Sequence, residues 1–262
     1  MLEYSVQGRC GVDDPVIFLL HGVLPTPRFA NHCLLSSYFC GLRNPDFPTK
    51  VVVLTRRGYG GSSDAPPQWS YHQFAKELAL VADQELADTF IVVGHSSGGP
   101  NALACAAHLP SRVTACGLLA SDAPYPAPAG DCYSDPCFFM SAETLRCAGR
   151  CCPEGLYNDF GVERRPYSFA LSQVECPTLL LVGQLDWATG TMPTHSLARQ
   201  LPDATLRIVP CAEHMTVTYS SAILEPFLLD LLALAKAPRA AAGAKAPSPS
   251  RMKRRRRSEP KT

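Results

Sequence analysis

Six short apolar runs punctuate the chain, most of them stopping at a turn residue or a small polar one. Val16-Ile17-Phe18-Leu19-Leu20 ends at His21-Gly22, and Val51-Val52-Val53-Leu54 leads into the turn Gly58-Tyr59-Gly60-Gly61. Phe90-Ile91-Val92-Val93 stops at Gly94, and runs over 113–120, 178–182 and 205–209 complete the set. Runs of this length bounded by turn residues predict strands buried on both faces. Between them, helical patterns cover 73–87, 100–109 and 194–201. A last helix near 220–236 carries Leu224, Phe227, Leu228, Leu231, Leu232 and Leu234, with Pro226 expected in its first turn. Strands alternating with helices predict an α/β fold. Its sheet should be mostly parallel and doubly wound, with helices on both faces and right-handed crossovers.

Two stretches leave this rhythm. Residues 122–176 contain no clean strand, are rich in proline and cysteine, and are too long for a simple connection in a compact domain. They are expected to form a lid inserted into a core made of 1–121 and 177–235. From 236 to 262 the chain is Ala-, Pro- and Ser-rich, then runs Lys253-Arg254-Arg255-Arg256-Arg257. That composition buries too little apolar area to fold, so a disordered basic tail is expected.

Charge sharpens the division. The chain of 262 residues has a formal net charge of +1. Residues 236–262 hold ten Lys or Arg and one acid, Glu259, whereas the rest holds 14 basic and 22 acidic groups. The acidic core is not expected to bind nucleic acid. Any such contact would be a weak one through the tail, whose run Lys253–Arg257 also matches a nuclear-localisation patch. Twelve cysteines are spread over a chain too long for a secreted disulfide scaffold. The start shows no basic region followed by an apolar stretch, so no secretory leader is expected, and no apolar run nears the ~20 residues that span a bilayer. The expected location is cytoplasmic, with the nucleus as the alternative. The pairs Cys132…Cys137 and Cys147…Cys151-Cys152, with Asp131, approach zinc-ligand spacing but bring no histidine, so packed or redox-sensitive thiols are the preferred reading.

Candidate chemistry centres on Gly94-His95-Ser96-Ser97-Gly98. It fits G-x-S-x-G between a strand and an Ala-rich helix. A sharp strand-to-helix turn lifts the serine clear of the sheet, and flanking glycines relieve crowding. The helix start behind it offers N–H groups to a developing oxyanion. A serine needs a base. Of seven histidines, His214 alone lies both late in the chain and just past a strand. The orienting acid should end a strand between Ser96 and His214. Asp186 fits, Asp122 is the rival, and Glu213 adjoins His214 too closely in sequence to face it. Backbone N–H groups of Val23 and Ser97 would complete an oxyanion hole.

These pieces resemble the α/β-hydrolase fold superfamily of the AB hydrolase-1 type. The resemblance rests on His21-Gly22, Arg57-Gly58-Tyr59-Gly60-Gly61-Ser62, Gly94-His95-Ser96-Ser97-Gly98-Gly99, Gly183-Gln184-Leu185-Asp186 and Glu213-His214, in the family's order over about residues 3–235. It implies Ser96 as nucleophile, Asp186 as acid, His214 as base, and Val23 with Ser97 as oxyanion donors. It implies no metal or organic cofactor. A serine argues against the epoxide hydrolases and haloalkane dehalogenases, which use aspartate. The Gly-Gly-Pro-Gly loop of proline iminopeptidases is absent, since His21-Gly22 leads into Val23-Leu24-Pro25. Three departures stand out. Thr55 or Arg56 occupies the position where the family often has Asp, a change expected to weaken a local bond and to bear little on catalysis. The family's first strand is expected to be missing, with residues 2–6 supplying one edge strand. The lid is short. The expected activity is serine hydrolysis of a carboxylic ester or related small acyl substrate. Thioester, lactone or carbon–carbon bond hydrolysis on the same triad is one alternative. A catalytically weak ligand-binding protein on this fold is the other.

Overall fold

A computed structural model describes residues 1–9, 15–24, 37–66, 69–124, 155, 159, 162 and 165–237. Most of the expected lid, with the cysteine pairs between 132 and 152, and the tail beyond 237 lie outside the described residues.

Seven strands form one sheet: β1 (Glu3–Gln7), β2 (Val16–Leu20), β3 (Val51–Thr55), β4 (Phe90–His95), β5 (Val113–Leu119), β6 (Thr178–Gly183) and β7 (Ala204–Val209). Their spatial order is β1-β3-β2-β4-β5-β6-β7. β1 pairs antiparallel with β3, Ser5 opposite Val53, and every other pair is parallel. The α-helices that lie wholly among the described residues are α1 (Tyr71–Gln84), α2 (Gly98–His108), α3 (Met192–Gln200), α4 (Thr216–Tyr219) and α5 (Ser221–Lys236). No helix among the described residues is long and apolar enough to cross a membrane.

The period-2 alternation of strands divides the core in two. Phe18, Leu20, Val52, Leu54, Val92, Cys116, Leu118 and Leu180 face α1, α2 and α3, meeting Phe74, Leu78, Leu103 and Leu197. Ile17, Leu19, Val51, Ile91, Val93, Leu119, Leu179 and Leu181 face α5, meeting Leu224, Phe227, Leu228 and Leu231. The apolar runs of the central strands are continuous because both sets are covered. β7 departs from that expectation. It ends the sheet and has no buried residue: Ala204, Leu206 and Val209 are half-buried, and Thr205, Arg207 and Ile208 are exposed.

Helix ends also differ from the pattern. Ser70 Oγ accepts from Gln73 N at 3.3 Å, and this cap starts α1 at Tyr71, ahead of residue 73. Pro226 falls in the second turn of α5, not the first: it is the sixth residue of a helix that begins at Ser221. Register fixes the location of the site. Leu20 lies opposite Gly94, His95 opposite Leu119, Leu119 opposite Leu181, and Gly183 opposite Val209. The residues that follow β2, β4, β5, β6 and β7 therefore emerge along one edge of the sheet, where ligands of open α/β sheets bind.

Candidate active site

Ser96 sits between β4 and α2 with φ +53°, a left-handed conformation that β-carbon sterics disfavour in a non-glycine residue. Its surroundings hold it there. Ser96 N donates to Leu119 O at 2.9 Å, and Ser96 O accepts from Gly99 N at 2.8 Å. The glycines permit the bend. A β-carbon on Gly94 would stand 2.2 Å from Gly98 O, so strand and helix touch backbone to backbone. On Gly22 it would stand 2.7 Å from both Ser96 Cβ and the Tyr38 hydroxyl.

His214 and Asp186 meet across this edge. His214 Nδ1 lies 3.1 Å from Asp186 Oδ1 and 3.0 Å from Oδ2. The Asp186 side chain is fully buried. It also accepts from Ala188 N at 2.9 Å, Thr189 N at 3.0 Å and Thr189 Oγ1 at 2.9 Å. Burial pushes the carboxyl's pKa up, but the hydrogen bonds and charge of His214 and the bonds from Thr189 outweigh it, and the net shift is downward. Asp122 is buried too, yet it is not among the hydrogen-bond partners of His214. Glu213 is exposed, its N–H donating to Thr216 Oγ1. Among the described residues no hydrogen bond joins Ser96 Oγ to His214. Instead, His95 Nε2 lies 3.0 Å from His214 O, and the two rings are 4.6 Å apart.

That contact fixes a directed chain. A carbonyl only accepts, so His95 Nε2 carries the proton and His95 Nδ1 accepts from the Tyr38 hydroxyl at 2.7 Å. The same hydroxyl accepts from Gly22 N at 2.9 Å. The loop before Val23 is thus bonded, through Tyr38 and His95, to the backbone of His214. Burial holds the His95 pKa down to about 3, with the charge of His214 adding to the effect. His21 is likewise kept neutral, its pKa lowered well below the usual value by burial and by Arg56. Its Nε2 accepts from Arg56 N at 3.0 Å, so its Nδ1 donates to Gly22 O at 2.7 Å.

Val23 follows this loop, and Ser97 heads α2, 1% exposed. Among the described residues neither Val23 N–H nor Ser97 N–H has a hydrogen-bond acceptor. Arg56 also stands at this edge, although no motif in the sequence marks it as part of the site. Its guanidinium is buried against the elbow and bonded to Ser97 Oγ at 2.8 Å. Its carboxylate partner, Asp159, comes from the expected lid. Neither Asp159 nor Tyr38 carries any local motif. The one available signal was a second arginine beside Arg57, directly after a buried strand.

The model of the alpha/beta hydrolase fold matches residues 15–145. The sequence has no match among curated proteins. The structure is similar to an esterase from Thermogutta terrifontis, 21% identical, with 89% of this chain and 93% of that one covered and a TM-score of 0.66. It is similar to the enol-lactonase from Burkholderia xenovorans LB400, 17% identical, with coverage of 88% and 96% and a TM-score of 0.67. A hydrolase from Pseudomonas aeruginosa PA01 is 21% identical, with coverage of 88% and 94% and a TM-score of 0.64. At these identities the likeness speaks for the fold. With half of its length matched by the family model, and the same architecture found in these structures, the chain belongs to the alpha/beta hydrolase fold family.

Proposed function

We propose that the protein is a serine hydrolase acting on a carboxylic ester or a related small acyl compound. The observation that carries this reading is the strained Ser96 at the head of α2, with the buried Asp186–His214 pair on the same sheet edge. Ser96 Oγ attacks the acyl carbonyl while His214 Nε2 takes its proton. Asp186 accepts from His214 Nδ1–H, which keeps Nε2 unprotonated and then balances the imidazolium. The oxyanion forms between Val23 N–H and Ser97 N–H, two donors with no other acceptor among the described residues. His214 returns the proton to the leaving group, and water releases the acyl-enzyme by the same route. None of these steps needs a cofactor.

A fluorophosphonate probe tests the reading directly. The wild-type chain should label at Ser96, and Ser96→Ala should abolish labelling without unfolding the protein. Undiminished labelling of the Ala variant would assign the reactive group elsewhere. A second reading, a ligand-binding protein with a slow triad, is favoured by one feature: Ser96 Oγ makes no hydrogen bond to His214 among the described residues. Apo sites often tighten only with substrate bound. A wild-type chain that stays unlabelled would decide for this second reading.

A further inference from the structure

Arg56 lies just past β3, its side chain 4% exposed, and grips three separate segments. Nη1 donates to Asp159 Oδ1 at 2.5 Å, and Nη2 to Asp159 Oδ2 at 2.8 Å. Nη2 also donates to Ser97 Oγ at 2.8 Å, and Nε to His21 O at 2.7 Å. The Tyr59 hydroxyl donates to Asp159 Oδ2 at 2.6 Å, and the guanidinium carbon stands 5.3 Å from the Tyr59 ring centre. Burying an ion pair is costly, and apolar residues of similar volume often serve stability as well or better. Stability alone therefore does not explain why these charges stand against the elbow.

The gripped residues do. His21 is two positions before Val23, and Ser97 is itself the other oxyanion donor under the reading above. A serine at a helix start ordinarily turns its hydroxyl onto the helix's own N–H groups. Ser97 makes no such cap; its Oγ accepts from Arg56 instead. We infer that Arg56 is a positioning residue of the oxyanion hole, and that Asp159 is the counter-ion that holds it in place. This inference rests on the serine-hydrolase reading. Ser96 is not among the hydrogen-bond partners of Arg56. Arg56 fixes the spacing of the Val23 and Ser97 N–H groups, while Asp159 cancels its charge.

The test uses the full chain, p-nitrophenyl butyrate as substrate and a trifluoromethyl ketone that forms a tetrahedral adduct with an active serine. The double variant Arg56→Met with Asp159→Leu removes both charges, so no unpaired ion is left buried to unfold the protein. Losing an oxyanion donor outright costs 10²–10³ in kcat, and misplacing donors should cost less, about 10- to 100-fold. KM should stay within about twofold, and the ketone's inhibition constant should rise by the factor that kcat/KM loses. If the double variant does not fold, Arg56→Lys decides on the same readouts, since it keeps the charge and loses the planar fork. A folded variant with unchanged kcat and unchanged ketone affinity overturns the inference. So does a loss of melting temperature with no selective loss of ketone affinity, which marks a structural role. A wild-type chain that neither labels with fluorophosphonate nor binds the ketone overturns the serine-hydrolase reading itself, and this inference with it.

Discussion

His95 precedes the candidate nucleophile, and its two ring nitrogens are both committed: Nδ1 accepts from Tyr38 and Nε2 donates to His214 O. Protonating Nδ1 would break the first bond, so the folded state keeps the ring neutral down to about pH 3 while the unfolded chain binds a proton near 6.5. The unfolded state thus holds more protons between those values, and folding stability must fall as pH drops through that window. From pH 6.5 to 5 the loss from His95 is about 2 kcal/mol, and His21 adds to it in the same direction. Urea unfolding at several pH values should show this slope, and His95→Gln should flatten it. An equal slope in the variant would place the proton uptake elsewhere. The acid is a second residue-scale question. Asp186→Asn offers His214 an amide that cannot balance an imidazolium, so the rate should drop at least about 100-fold. Asp122→Asn, which removes no bond to His214, should cost less than about tenfold. The reverse ranking would move the acid to the end of β5. That Ser96, Asp186 and His214 lie along one edge was legible in the sequence, because each follows an apolar run and a parallel sheet gathers such ends together. Arg56 and Asp159 were not, because they are 103 positions apart and their bond exists only once the intervening chain has folded.

Elements were legible wherever periodicity was continuous. Strands β2 to β6 follow directly from their apolar runs, since both faces of each are covered. Capping and pairing decided the rest. The short α4 carries no periodic signal, and β7, an apolar run interrupted by Arg207, leaves Thr205, Arg207 and Ile208 exposed. Helix α5 shows local preference yielding to packing. Leu224, Phe227, Leu228, Leu231 and Leu232 are buried against the sheet, and this stripe extends the helix across Pro226. The ring lacks the N–H that would reach Ala222 O and crowds that carbonyl. Pro226 is exposed, so replacing it disturbs no core contact. An interior proline costs about 3 kcal/mol against alanine, and the proline's restraint on the unfolded chain returns about 0.4–1 kcal/mol. Pro226→Ala should therefore stabilise the protein by about 2–2.6 kcal/mol in denaturant unfolding, with rate unchanged. A destabilised variant would mean that Ala222 O is satisfied by a neighbour that needs the proline's bend.

At the scale of the whole molecule, residues 236–262 carry ten basic groups against one acid, and the remainder carries 14 basic against 22 acidic. Two forces compete over what such a tail does. Attraction between opposite net charges favours docking on the core, while the scarcity of apolar side chains after Ala237 leaves little to offset the entropy of ordering it. Salt separates the two. The screening length is about 30 Å at 0.01 M and about 8 Å at 0.15 M ionic strength, so docking by charge alone should fade between these conditions. We propose that the tail adds nothing to the fold at physiological salt. Ending the chain at Ala237 should leave the melting temperature within about 2 °C, less than the shift expected from 1 kcal/mol in a domain of this size. The hydrolysis rate should also be unchanged at 0.15 M salt. At 0.01 M a small loss of stability is allowed by the charge argument and should vanish on adding salt. A large loss at both salt concentrations would mean that the tail packs on the core through contacts its composition does not suggest.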